Sequence, residues 1–428
     1  MITTPEPTVC KNIEEMLAAL SKPEDPATLR MIALAMGLLG GRCPTKDVKY
    51  DTLLHSIAKF PDSSVRRGAT LGLALLGSVW EDPRKPAAIL LELSKDEEHP
   101  VRRSAVFSLG LLAAGRVKRE DSVQLLSTMI KDSNPLMRWG AAIGLGILGS
   151  SLFDVQKELE LIHVLIQDQH ADVRAGAIIG LGLLAKNNPD FQTSLLLLQK
   201  MSKEIDYDIR WLFALALGFV GICQPRFVDA VKVIAEILEN CEPELQWGPA
   251  FGLGVVGSSC AKEQGIAFFS SLLEKVDTSI RWGATLGLGL MSAKDKNPTV
   301  EWDMLKKLIK ESDVYVRRGA ILALSMGVAS HITAKEEQLA LFPLLSDPDA
   351  SVRWSVAFGL GVACRTENEA LNLLQDLKKY DAWSQLGAVL GVLGIRSGHN
   401  QLRYLGYALM ALGWWEEGIN ILLHFTTL

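Results

Sequence analysis

One motif recurs ten times in this chain, and its spacing confines the fold to a repeat architecture. The copies are LRMIALAMGLLG, VRRGATLGLALLG, VRRSAVFSLGLLA, MRWGAAIGLGILG, VRAGAIIGLGLLA, IRWLFALALGFVG, LQWGPAFGLGVVG, IRWGATLGLGLM, VRRGAILALSMG and VRWSVAFGLGVAC. Their second residue falls at Arg30, Arg66, Arg102, Arg138, Arg174, Arg210, Gln246, Arg281, Arg317 and Arg353, a step of 36 residues except for one of 35. A fixed period of this size is the signature of stacked supersecondary units. Length alone suggests two or three globular domains; the repeat replaces that with one continuous stack.

Each unit has the same internal order. An amphipathic stretch comes first, such as Asp154–Asp168 or Phe227–Asn240, then an acidic turn, then the Gly/Ala/Leu-rich motif. Asp and Ser ahead of the motif suit a helix N-terminus, where free backbone N–H groups need acceptors. The unit is therefore a helical hairpin that buries its apolar faces only against neighbours. Gln246, followed by Pro249, marks one irregular unit whose second helix bends or starts late.

An Asp, then Val-Arg a few residues on, then an Ala/Leu/Gly helix resembles the HEAT repeat, especially the short type of phycobilin lyases. The run Gly283-Ala284-Thr285-Leu286-Gly287-Leu288-Gly289 is also similar to repeats in the large scaffold subunits of the proteasome base and in the cyclosome. The resemblance covers residues 26–364 or so. It implies an all-α superhelix, and it is specific for architecture rather than for task.

Placed at about 100° per residue, motif positions 0, 4, 8 and 11 form one stripe, which meets the first helix of the hairpin. Positions 3 and 7 are small, as in Gly68/Gly72, Gly140/Gly144 and Gly283/Gly287. Helical glycines cost about 1 kcal/mol each relative to Ala, so their recurrence implies close approach of neighbouring second helices. Compressing that layer alone bends the stack by roughly 10–20° per unit, with second helices on the concave side. A strongly curved arc is expected, and a closed ring less so.

The remaining face carries Arg67, Arg103, Trp139, Trp211, Trp247, Trp282, Arg318 and Trp354 at position 2, with Phe251 and Phe358 among the position-6 residues. Two readings stay open for this stripe. The rings fill a narrow axis as core, or they line an exposed groove that anchors a partner. Position 1 (Arg66, Arg102, Arg138, Arg174, Arg210, Arg281, Arg317, Arg353) reads as a structural ladder. Its acidic partners are sought just ahead, at Asp62, Asp132, Asp172, Asp208, Asp277, Asp313 and Asp349.

Other chemistry leaves little trace. Seven histidines are dispersed, with no HExxH, no paired His-Glu dipeptides and no Cys/His cluster, so no metal site or cofactor is expected. P-loop, GxSxG and dinucleotide fingerprints are missing. A net charge of −5 opposes nucleic acid as a partner. The longest apolar run, Trp211–Cys223, is 13 residues, too short for a bilayer. No secretory signal is visible, and six scattered cysteines read as reduced thiols, which points to the cytoplasm.

Residues 1–26 are expected to be a capping segment around a short helix at 11–19, residues 27–365 the solenoid, and residues 366–428 an irregular repeat with closing helices. The apolar segments Leu409–Trp415 and Ile419–Leu428 suggest that the C-terminal end packs on the last hairpins or on another copy. The functional expectation is a non-catalytic scaffold that binds a protein segment along the concave face. The resemblance keeps open an alternative, a bilin lyase or another handler of apolar ligands in the same cleft.

Overall fold

A computed structural model describes residues 7–20, 25–42, 50–185 apart from 79, 81, 116–118 and 151–153, isolated positions between 216 and 238, 247–331 apart from 259–261, and 334–396. Among these residues every regular element is helical, and most of the 19 α-helices pair into hairpins. The fold is an α-α solenoid. Cys10 is disulfide-bonded, with its partner outside the described residues, while Cys364 is a buried free thiol. This corrects the reading of all six cysteines as reduced: spacing along the chain carries no information on which helices bring two sulfurs together.

The second helices start where a side chain can replace the missing backbone acceptors. Asp62 accepts from the Ser64 and Val65 amides, Asp313 from Tyr315 and Val316, and Asp349 from Ser351 and Val352. Such a cap contributes about 1 kcal/mol. Inside the hairpin, Val65, Ala69, Leu73 and Leu76 of helix Ser63–Gly77 are fully buried, as is Leu54 of its first helix Tyr50–Ile57. Each buried Leu of this kind contributes about 1.5–3 kcal/mol.

The chain divides into two compact units, residues 1–117 with 292–428, and residues 118–291. In the first unit, second helix packs on second helix: Pro26–Arg42 on Ser63–Gly77 on His99–Ala114, and Val314–Ser330 on Ala350–Ala363 on Ala382–Arg396. These two runs are joined, because Pro26–Arg42 also packs on Ala382–Arg396, and the N-terminal helix Pro7–Leu20 on Glu367–Leu377. The first hairpin of the chain thus completes a stack with the last described one. The N-terminal helix covers the stretch expected at 11–19, and Glu367–Leu377 with Ala382–Arg396 form one more hairpin.

The second unit repeats the plan. Arg119–Ile130 and Gln156–Ile166 are first helices; Pro135–Gly149 and Ala171–Ala185 are the second helices they cover, packed on each other. Helix Trp247–Gly257 carries Pro249 in its first turn, a position where the missing N–H has no helical partner to lose. The C-terminal segments Leu409–Trp415 and Ile419–Leu428 lie outside the described residues.

The glycine stripe sits where second helices meet. A methyl on Gly37 would overlap the Gly72 carbonyl, and one on Gly72 would overlap the Ala33 carbonyl and lie 2.8 Å from Leu54 Cδ2. Backbone touches backbone there, with no side chain between.

Candidate partner-binding face

The position-2 and position-6 side chains divide by chemistry. Trp139 is 9% exposed, Trp282 3% and Trp354 0%. Phe358 is buried and stacks on Trp354 one turn earlier, ring centroids 5.1 Å apart and planes within 6°. The aliphatic position-6 residues Leu71, Ile143, Leu286 and Leu322 are buried as well. Burial of these rings agrees with the core reading rather than with an open apolar groove. Trp211 and the side chains of Trp247 and Phe251 lie outside the described residues.

The arginines of the same stripe reach the surface. Arg103 is exposed, while Arg67 and Arg318 are half-buried. All three belong to the first unit, on second helices His99–Ala114, Ser63–Gly77 and Val314–Ser330. Burial holds the Arg67 guanidinium below its ordinary pKa, yet a guanidinium stays charged at any physiological pH. In the first unit the second helices therefore bury Trp354 and Phe358 and bring arginines to the surface.

Position 1 forms a ladder of another geometry than the one expected. Arg66 grips Asp96 of the next hairpin through two bonds of 2.9 Å, Nε to Oδ2 and Nη2 to Oδ1. Arg138 holds Asp168 in the same way at 2.7 and 3.0 Å, and Arg317 holds Asp347 at 3.1 and 3.3 Å. Arg353 reaches Asp381 at 2.7 Å. Meanwhile Nη1 of each arginine donates to two carbonyls of its own turn: Phe60 and Pro61 for Arg66, Asp132 and Ser133 for Arg138, Glu311 and Ser312 for Arg317. One planar fork thus closes its own hairpin turn and clamps the next.

Four of the acids named just ahead of the arginines do different work. Asp62, Asp313 and Asp349 cap their own helices, and Asp277 accepts from the Ile280 amide. The ladder acids stand six residues before the next arginine, at Asp96, Asp168 and Asp347. Each of them also accepts a backbone amide two residues on, from Glu98, His170 and Asp349. Arg102 and Arg174 make the same own-turn bonds, to Asp96 with Glu97 and to Asp168 with Gln169. Arg281 is half-buried, and Arg210 lies outside the described residues. On the last described hairpin Gln385 stands in for arginine: its Nε2 donates to the Tyr380 carbonyl at 2.9 Å.

The hydrogen bonds from Arg138 hold the Asp168 carboxyl below its ordinary value of 3.8, against the opposing effect of burial. Among the described residues no group of His, Cys, Asp and Glu is placed to hold a metal ion. No helix among them is long and apolar enough to cross a membrane.

The family model for HEAT repeats matches residues 13–110 and 86–155. No curated protein matches the chain. Among solved structures, an engineered protein known from a crystal structure is 19% identical, with 82% of this chain and 100% of that one covered at a TM-score of 0.34.

Proposed function

We propose that this chain, a HEAT-repeat protein, is a non-catalytic scaffold that holds a protein segment along the inner layer of second helices in its first unit. HEAT repeats are commonly protein-interaction scaffolds. The observation that supports this reading here is the arginines of the inner stripe in the first unit, Arg103 exposed and Arg67 and Arg318 half-buried, on helices whose aromatic positions are packed as core. Rigid stacking of the second helices leaves these arginines preorganised, so a segment that meets them pays little ordering cost on the scaffold side. Arginines at the rim supply planar donors for carboxylates and backbone carbonyls. An apolar-ligand site would instead need the aromatic rings to border an open cleft, which their burial disfavours.

The test is a change of charge at the rim. Arg103→Glu should abolish capture of the partner that co-purifies with the wild-type chain from its native source. The melting temperature should stay within a few degrees, because Arg103 is exposed and does not belong to the ladder. Retention of that partner by the folded variant would end this reading.

A further inference from the structure

The first hairpin of the chain meets the last described one with no short connection between them. Helix Pro26–Arg42 packs on Ala382–Arg396 inside the first compact unit, although the two come from opposite ends of the described chain. The other second-helix junctions of that unit, such as Pro26–Arg42 on Ser63–Gly77 or Ala350–Ala363 on Ala382–Arg396, join consecutive hairpins. There the chain itself limits how far two helices can part. The seam between first and last hairpins has no such tether, so local opening is easiest at that point.

Helix Pro7–Leu20 touches both sides of this seam. On one side it packs on Pro26–Arg42, and its Glu14 accepts a hydrogen bond from the Tyr50 hydroxyl of helix Tyr50–Ile57. On the other it packs on Glu367–Leu377 and Ala382–Arg396. The contact is a single apolar stripe. Val9, Cys10, Ile13, Met16 and Leu17 recur at helical spacing, and none is more than 3% exposed. Lys11, Glu15 and Ala19, on the opposite face, are exposed. An isolated helix of 14 residues is marginal in water, so this one holds its place through the stripe and through whatever else ties it down. Cys10 lies within the stripe and is disulfide-bonded.

We propose that the disulfide at Cys10 is a redox latch. While it is intact, helix Pro7–Leu20 straps the seam between the first and last described hairpins; its reduction lets the strap lift and the seam open. A cross-link on a short terminal helix removes the detached conformations that the helix would otherwise gain entropy by visiting. Once the bond is cut only the stripe holds the helix, and chain ends with few contacts are the first parts of a fold to open. The co-reactant is a dithiol reductant. One of its thiolates attacks a sulfur of the bond, forming a mixed disulfide and releasing the other protein sulfur as a thiolate. Its second thiolate then attacks the mixed disulfide. The reductant leaves as a disulfide, having given up two electrons and two protons, and both protein sulfurs end as thiols. Because Cys10 is 3% exposed, the attack follows a local opening of the helix. The buried free thiol of Cys364, which donates to the Leu360 carbonyl, takes no part.

The experiment is hydrogen–deuterium exchange on the full chain with and without dithiothreitol, after iodoacetamide labelling of the denatured, unreduced chain has located the free thiols. Cys10 should escape labelling. On reduction, the amides of helices Pro7–Leu20 and Glu367–Leu377 should exchange about tenfold faster or more. Those of His99–Ala114, which packs on Ser63–Gly77, should keep their rate. Reoxidation with glutathione disulfide should restore slow exchange. Cys10→Ser should exchange at the reduced rate whether or not dithiothreitol is present, and Cys364→Ser should respond as the wild type does. Comparing one protein in two redox states keeps the test sound if Cys10→Ser folds poorly. Labelling of Cys10 in the unreduced chain, or exchange unchanged by reduction, would overturn the proposal. So would loss of protection throughout the chain, because the bond would then hold the whole fold rather than the strap. The scaffold reading is tested separately, at Arg103.

Discussion

Gly72→Ala should destabilise the chain by about 2 kcal/mol, although the same exchange in an exposed helix would stabilise it by about 1 kcal/mol. The sign is what matters. A methyl at this site has no volume to enter, since the Ala33 carbonyl of the adjacent second helix and Leu54 of the first helix already fill it. Gly391→Ala should behave alike, because its methyl would overlap the Phe358 carbonyl and lie 2.9 Å from the Val362 amide nitrogen. Overpacking of this kind forces either backbone to shift, and the shift is transmitted along a layer that has no compliant side chains in it. Urea denaturation of both variants beside the wild type measures the effect. A gain in stability at either position would mean that the second helices are further apart than described here.

Arg66→Ala and Asp96→Ala should each cost about 3–5 kcal/mol, the largest single-residue losses expected outside the apolar core. Both side chains are about nine-tenths buried, at 9% and 10% exposure. Removing one partner therefore strands the other charge in a poorly solvated turn. Arg66→Ala should stand at the upper end, because it also frees the Phe60 and Pro61 carbonyls. Replacing the pair together by Met and Leu should cost much less than the sum of the single changes, which a double-mutant cycle by chemical denaturation would read out. The same ladder sets an acid limit. Asp168 is held below its ordinary 3.8 by its bonds to Arg138, so its contribution is complete above the unfolded value and lost as pH falls through the lower folded one. Stability should accordingly be flat from neutral pH to about pH 5 as far as this group is concerned, then fall below about pH 4. Arg138→Leu should flatten that lower limb.

The hairpin and its stacking were legible because a period of 36 residues carries its own register. The ladder was only half legible, for an instructive reason. Cap acids such as Asp62, Asp313 and Asp349 stand four residues before an arginine; ladder acids such as Asp96, Asp168 and Asp347 stand six before. Both series share the same period, so repetition cannot separate them. The three-dimensional step of one hairpin does, because it carries an arginine toward the turn thirty residues ahead and away from its own cap. Packing of helix Pro26–Arg42 against Ala382–Arg396 had no local signal at all: the two helices are more than 330 residues apart and neither sequence names the other. Burial of the aromatic stripe was similarly out of reach. A helical projection tells which residues share a face, and Trp354 with Phe358 do, but what covers that face depends on elements elsewhere in the chain.

The inner aromatic positions are closed core rather than an open groove, and hydroxyl-radical footprinting of the intact chain tests this directly. Trp139, Trp282 and Trp354 should remain unoxidised in the native protein and become reactive only on unfolding, while Tyr315, exposed on the same layer's first turn, is modified readily. Oxidation of those three indoles in the native state at the rate of Tyr315 or faster would contradict it.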